Sequence, residues 1–181
     1  MEIIKLSQRA VNEAVKIIKN GGVVICPTDT VYGFLADAGN KKAVSRIFKI
    51  KKRQKAKPLP VFVKDIKMAK EISEISKEQK VILKKSWPGR ITFVLKKKNK
   101  GTIALRIPKY KPLNDLLKKI NKPLVQTSVN ISGSPVLKNI KEIVEQFGDK
   151  IDLIIDEGNF PKRNPSKIID LTADRGKVLR H

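Results

Sequence analysis

The chain has 181 residues, 40 Lys and Arg against 17 Asp and Glu for a net charge of +23, and 40% hydrophobic content. That length buries enough surface to fold as one domain without disulfides or metals, and its apolar runs fall far short of the ~20 residues of a membrane span. One cysteine and one histidine, the terminal His181, exclude internal disulfides, zinc or iron–sulfur sites and Ser–His hydrolysis. Met1-Glu2-Ile3-Ile4-Lys5 has none of the parts of a signal peptide, so the expected location is the cytoplasm.

In chain order, Ser7 caps a helix whose apolar residues Val11, Ala14, Val15 and Ile18 keep helical spacing as far as Gly21-Gly22. A buried-type strand over 23–26 carries Cys26 among apolar neighbours, which predicts an inert thiol. It runs into the polar turn Pro27-Thr28-Asp29-Thr30-Val31-Tyr32-Gly33, and a second strand covers 31–36. Asn40 opens a helix with Ala43, Val44, Ile47 and Ile50 on one face, which ends in the basic stretch Lys49 to Lys57. A short strand over 58–63 and two helical patterns over 65–86 follow, closed by Trp87-Pro88-Gly89, which reads as packing and turn geometry.

Strands over 91–95 and 102–107 flank the loop Lys96 to Gly101, and a helix at 112–120 precedes a strand at 123–128. A helix at 139–147 and strand-like runs at 151–155, 167–172 and 176–180 complete the chain. Strands alternate with helices early and crowd together late, which predicts a mixed α/β sheet in a single domain, 1–181, with no internal repeat.

No P-loop and no Gly-x-Gly-x-x-Gly occurs, so standard nucleotide motifs are absent. What remains are cations, hydroxyls and backbone amides, a set suited to phosphoryl or nucleotidyl transfer, where positioning and charge neutralisation carry the chemistry. Lys51, Arg53 and Lys57 offer that neutralisation, and equally a solvated helix end. Arginine is scarce in this lysine-rich chain. Arg106 stands inside an apolar strand alternation, where it needs either a buried carboxylate partner or a ligand. Thr127-Ser128-Val129-Asn130-Ile131-Ser132-Gly133 is a second strand-end turn able to cradle an anion. Asn164-Pro165-Ser166 reads first as a cap or turn. The lysine excess fits either polyanion contact or a solvated surface.

Together these segments resemble the YrdC/TsaC family of threonylcarbamoyl-adenylate synthases. The resemblance rests on Pro-Thr-Asp-Thr-Val-Tyr-Gly, Lys51-x-Arg53, Lys57-Pro58-Leu59, Trp87-Pro88-Gly89, Thr102-Ile-Ala-Leu-Arg106-Ile-Pro108, the 127–133 turn, Pro165-Ser166 and Leu179-Arg180, in the family's order. It implies a YrdC-like twisted mixed β-sheet with flanking helices and a basic concave face. The implied reaction joins L-threonine, bicarbonate and ATP, taken with Mg²⁺, into threonylcarbamoyl-AMP and pyrophosphate. The product then serves t6A modification of tRNA through a transferase machinery.

By position, the resemblance assigns Thr30, Phe62, Arg106, Gln126 and Ser166 to threonine. It assigns Arg53, Lys57, Thr102, Ser128, Val136 and Arg180 to ATP, and Lys51 and Arg53 to charge stabilisation at the phosphates; no protein-bound metal is implied. Phe62, Lys57, Arg90, Val129 and Lys167 depart from common family residues, and ending at His181 leaves out the second domain of longer members. A non-catalytic tRNA- or rRNA-binding accessory protein is the alternative, although 5% aromatic content offers few stacking platforms. A carbamoyl-transfer domain of hydrogenase maturation would call for zinc-binding cysteines.

Overall fold

The computed structural model describes residues 1–160, 165–173 and 176–180. Asn164 and His181, singled out above, lie outside them. The elements in chain order are β1 (Glu2–Lys5), α1 (Gln8–Lys19), β2 (Val24–Cys26), β3 (Gly33–Asp37), α2 (Lys41–Ile50), β4 (Val61–Phe62), α3 (Ile66–Ile72), α4 (Lys77–Ser86), β5 (Ile91–Lys96) and β6 (Thr102–Arg106). They continue with α5 (Lys111–Ile120), β7 (Leu124–Ser128), α6 (Ile140–Phe147), a 3-10 turn (Gly148–Lys150), β8 (Leu153–Asp156), β9 (Lys167–Asp170) and β10 (Lys177–Arg180). No helix among the described residues is long and apolar enough to cross a membrane.

The helices start where side chains replace missing backbone partners. Ser7 accepts from the Ala10 amide at 3.2 Å and Asn40 from the Ala43 amide at 3.0 Å. Ser76 and Gln79 form a reciprocal capping box on α4. Helix α5 stops at Asn121, whose φ of +54° is left-handed.

All ten strands join one mixed sheet in the order β1-β8-β2-β3-β7-β4-β6-β5-β9-β10. β1 and β2 flank β8 in parallel, β4 runs parallel to β6 and β5 to β9; the remaining pairings are antiparallel. The expected mixed sheet is present. It includes a strand that periodicity missed, β1, because four mostly exposed residues at a sheet edge leave no alternation to read. The expected strand at 58–63 shrinks to Val61–Phe62, since Pro58 and Pro60 lack the amide that a ladder needs.

The two faces of the sheet are covered differently. One buries Ile25, Phe34, Val61, Phe93 and Leu105 beneath α2, α3, α4 and α6 along its length. The other buries Val24, Leu35, Leu124, Phe62 and Leu153 beneath α1 and α5 only, through Ala14, Ile18, Leu113 and Leu117. This second cluster reaches no strand beyond β4. Phe62 pairs in register with Arg106, so Arg106 shares its face, and period-two alternation adds Ala104 and Thr102 on β6. On β7 the same rule adds Gln126 and Ser128 to the face of Leu124. The polar residues therefore begin where the helical cover ends.

Candidate functional site

Two connections roof this uncovered half-face. The loop between β2 and β3 is fixed by Thr28, whose Oγ1 accepts from the amides of Thr30 (3.1 Å) and Val31 (3.2 Å) and donates to the Val31 carbonyl (2.6 Å). Thr30 Oγ1 lies 3.0 Å from Thr28 Oγ1. The Tyr32 hydroxyl accepts from the Glu157 amide at 2.9 Å and donates to the Gly158 carbonyl at 2.8 Å, which ties the loop to the segment after β8. The second connection is the stretch before β9. Ser166 Oγ lies 2.9 Å from Thr92 Oγ1, and its carbonyl accepts from Arg180 Nη2 at 2.6 Å and Nε at 3.0 Å. One β10 arginine thus holds the serine that the resemblance assigns to the other substrate.

Arg106 lies between the two. Only 2% exposed, it forms an ion pair through Nη2 with Asp29 Oδ1, while Asp29 Oδ2 accepts from the Lys109 amide at 3.1 Å. Its guanidinium sits 5.1 Å from the centre of the Phe62 ring, a cation–π contact. Its Nε is buried with no hydrogen-bond partner among the described residues. Burial lowers the pKa of Arg106; Asp29 opposes that shift, and the like charges of Arg90 and Arg180 add to it. The charges of Arg90 and Arg180 thus act on a guanidinium that Asp29 engages, and its Nε is left unsatisfied among the described residues. Such an arrangement attracts a small anion. The sequence left carboxylate partner and ligand as alternatives for Arg106, and the structure supplies the carboxylate while leaving Nε open.

At the far end of β7 lies a cavity of about 310 Å³ lined by Lys51, Arg53, Lys57, Ser128, Asn130 and Gly133, among others. Arg53 donates through Nε to the Lys57 carbonyl at 2.8 Å and through Nη2 to the Pro58 carbonyl at 3.1 Å, which stiffens the basic loop. Lys57 is exposed. Gly133 adopts a φ of +92°, open only to glycine without strain. Val136 is half-buried in the loop that follows. Thr102 is exposed at the start of β6, on the face of Arg106 and about 13 Å from it along the strand.

Lys51 differs from expectation. Only 1% exposed, it donates to the Ser128 carbonyl at 2.5 Å, the Asn130 carbonyl at 2.8 Å and Asn130 Oδ1 at 2.7 Å. Its three N–H groups face the protein, because the C-terminus of α2 points the side chain under the turn. Phe62 is also turned inward, 1% exposed beneath Arg106.

The Sua5/YciO/YrdC domain model, described as "Telomere recombination", matches residues 16–181. The chain belongs to this family. It is 37% identical over 167 residues to a Methanocaldococcus jannaschii protein that carries the threonylcarbamoyl-AMP synthase name provisionally, covering 88% of this chain and 79% of that one. It is 32% identical to the threonylcarbamoyl-AMP synthase of Pyrococcus abyssi, covering 97% of this chain and 55% of that protein. The crystal structure of P. abyssi Sua5 complexed with L-threonine superposes with a TM-score of 0.91 at 31% identity, over 99% of this chain and 57% of that one. Escherichia coli YciO gives a TM-score of 0.87 at 28% identity, over 99% and 93% of the two chains. The chain thus spans little more than half of the P. abyssi protein and most of YciO.

Within this Sua5/YciO/YrdC fold, the loop that carries Thr30 reaches Arg106 through Asp29 and the Ser128 turn through the Tyr32 carbonyl, which accepts from the Val129 amide at 3.1 Å. Ser166 sits on Thr92 beside Arg106, and Arg53, Lys57 and Ser128 line the cavity. Two residues outside the expected set matter. Asp29 orients Arg106, and its signal was a carboxylate in a strand-end turn of a chain whose buried arginine needed a counter-ion. Asn130 accepts from both Lys51 and Ser128 Oγ (2.9 Å), which no spacing rule reveals.

Proposed function

We propose that this chain makes threonylcarbamoyl-AMP and pyrophosphate from L-threonine, bicarbonate and ATP. The observation that carries the reading is Arg106: a buried guanidinium held on one side by Asp29, with Nε unpartnered among the described residues, next to Thr92 on the neighbouring strand, whose hydroxyl meets that of Ser166. A free amino acid matches that set. Its carboxylate accepts from the arginine, and its small polar side chain meets hydroxyls. The P. abyssi relative solved with L-threonine supports the same reading, and relatives named as synthases favour the enzyme over an RNA-binding accessory protein.

In this scheme the threonine amine forms a C–N bond to the bicarbonate carbon and water leaves, which gives the carbamate. A carbamate oxygen attacks the α-phosphorus of ATP, the bond to the bridging oxygen breaks, and pyrophosphate leaves. Arg106 and Ser166 orient the amino acid; Gln126 lines the face between the two ends. Arg53, Lys57, Ser128 and Arg180 hold the nucleotide and spread its charge, with Thr102 and the backbone near Val136 at the rim. Mg²⁺ would enter with ATP as part of the substrate, neutralising phosphate charge. The product would pass to a t6A-forming transferase.

The test is pyrophosphate release from ATP by the purified chain. Release that requires both threonine and bicarbonate is expected, and its absence rejects the assignment. Arg106→Ala should raise the KM for threonine at least 100-fold and that for ATP only a few-fold, with Arg53→Ala showing the reverse preference. Equal effects on both substrates would undo the partition of the site.

A further inference from the structure

Lys51 is the buried lysine of the described residues, and it is joined to no carboxylate. Its ammonium has three N–H groups and three acceptors at 2.5–2.8 Å, all on Ser128 and Asn130. Its own carbonyl accepts from the Ser132 amide at 2.8 Å. The residue at the C-cap of α2 thus grips the 128–133 turn by side chain and backbone together. The turn continues the pattern internally: Ser128 Oγ donates to Asn130 Oδ1, and Asn130 Nδ2 donates to the Ser134 carbonyl at 2.7 Å.

We propose that Lys51 is a positioning residue, shaping the Ser128–Gly133 turn into an anion cradle, and that it does not itself donate to phosphate. A phosphate ligand needs a free N–H, and this ammonium has none left. Lys51 borders the 310 Å³ cavity, but its N–H groups are spent on the turn, which lines that cavity through Ser128, Asn130 and Gly133 together with Arg53 and Lys57. The choice of nucleotides as probes rests on the synthase reading; the geometry does not.

The grip is also sensitive to protonation. Burial, and next the charge of Arg53, bring Lys51 down to about 7. The charged groups around it are Lys52, Arg53 and Lys57 on the segment after α2. The turn contributes only Ser128, Asn130 and Ser132, and β3 the Phe34 ring at 5.6 Å. Deprotonation leaves two N–H groups and a lone pair for three acceptors, so the turn loses a bond. Nucleotide affinity should therefore fall as pH rises through about 7.

The experiment uses the full chain, its Lys51→Met and Asn130→Ala variants and the double variant. AMP and ATP serve as probes, with amide NMR of the nucleotide-free proteins. Expected in Lys51→Met are shifted amides over 128–134, α1 and α5 amides unchanged, and a loss of at least tenfold that is equal for AMP and ATP. The fall in affinity above neutral pH should vanish with it. Asn130→Ala should reproduce that AMP-to-ATP ratio, and the double variant should be within about threefold of the worse single. Unmoved turn amides, a loss several-fold greater for ATP than for AMP, or multiplying effects would overturn the proposal. Should Lys51→Met not fold, Asn130→Ala carries the test: shifted 128–134 amides with an equal loss for AMP and ATP support the proposal, and a loss several-fold greater for ATP overturns it. Wild-type protein that binds neither nucleotide would instead remove the synthase reading, and the nucleotide-free amides would still judge Lys51.

Discussion

The two halves of one sheet face carry opposite designs. Under α1 and α5 the face is aliphatic, and Leu35, Leu124, Leu113 and Leu117 interlock. Beyond Phe62 no helix among the described residues contributes to this cluster, and the same face holds Arg106 and Thr102 on β6, with Gln126 and Ser128 farther along β7. The covered half obtains order from packing and tolerates no void. The uncovered half obtains order from hydrogen bonds to two roofing connections, and it keeps donors unsatisfied. A binding site in this fold is what remains of a core when its helical layer stops early.

The comparison can be broken at its most buried polar link. Asp29→Ala leaves the Arg106 charge unpaired and orphans the Lys109 amide, so a loss of about 3–5 kcal/mol is expected, measured by urea unfolding. The threonine KM should rise in the same variant, because the fork loses its orientation. In the covered half, Leu117→Ala opens a cavity costing about 2–5 kcal/mol, yet the substrate KM values of the folded fraction should stay within twofold. A comparable KM shift there would show that the halves are not separable. At the open end, Ser128→Ala should lower ATP affinity about tenfold, read by calorimetry, with stability changed by no more than about 1 kcal/mol.

The smallest effect sharpens the contrast through its sign. Lys51 titrates at about 7 when folded against 10.5 ordinarily. Between these values the unfolded chain binds more protons, so the contribution of this group to stability rises with pH across that window. Nucleotide affinity moves the other way. Urea midpoints at pH 6.5 and 9, compared between wild type and Lys51→Met, should show a gain in the wild type that the variant lacks.

The helices and the sheet class were legible because hydrophobic periodicity and caps are local. Ser7 and Asn40 mark their helices at the residue. Strand β1 was invisible because its order comes from β8, far along the chain. The site was legible in residue types: a turn with Asp29 and Thr30, a lone strand arginine and a Ser/Asn turn. Spacing could not say which way a side chain points. Lys51 and Arg53 sit two positions apart, yet one faces inward and the other lines the loop. That outcome depends on where α2 ends against a turn nearly eighty residues later.

Strand β1 has a consequence for synthesis. Glu2 faces Leu153 and Lys5 faces Asp156, so β1 must wait for β8. At the roughly 5–20 residues per second of translation, that wait is about 8–30 s. During it α1 and β2 are present without their parallel neighbour. Arg180, which fixes Ser166, emerges later still. When β8 emerges to complete the covered half, Asp29, Arg106 and the 128–133 turn are already made, and Ser166 with the arginine that fixes it is still to come.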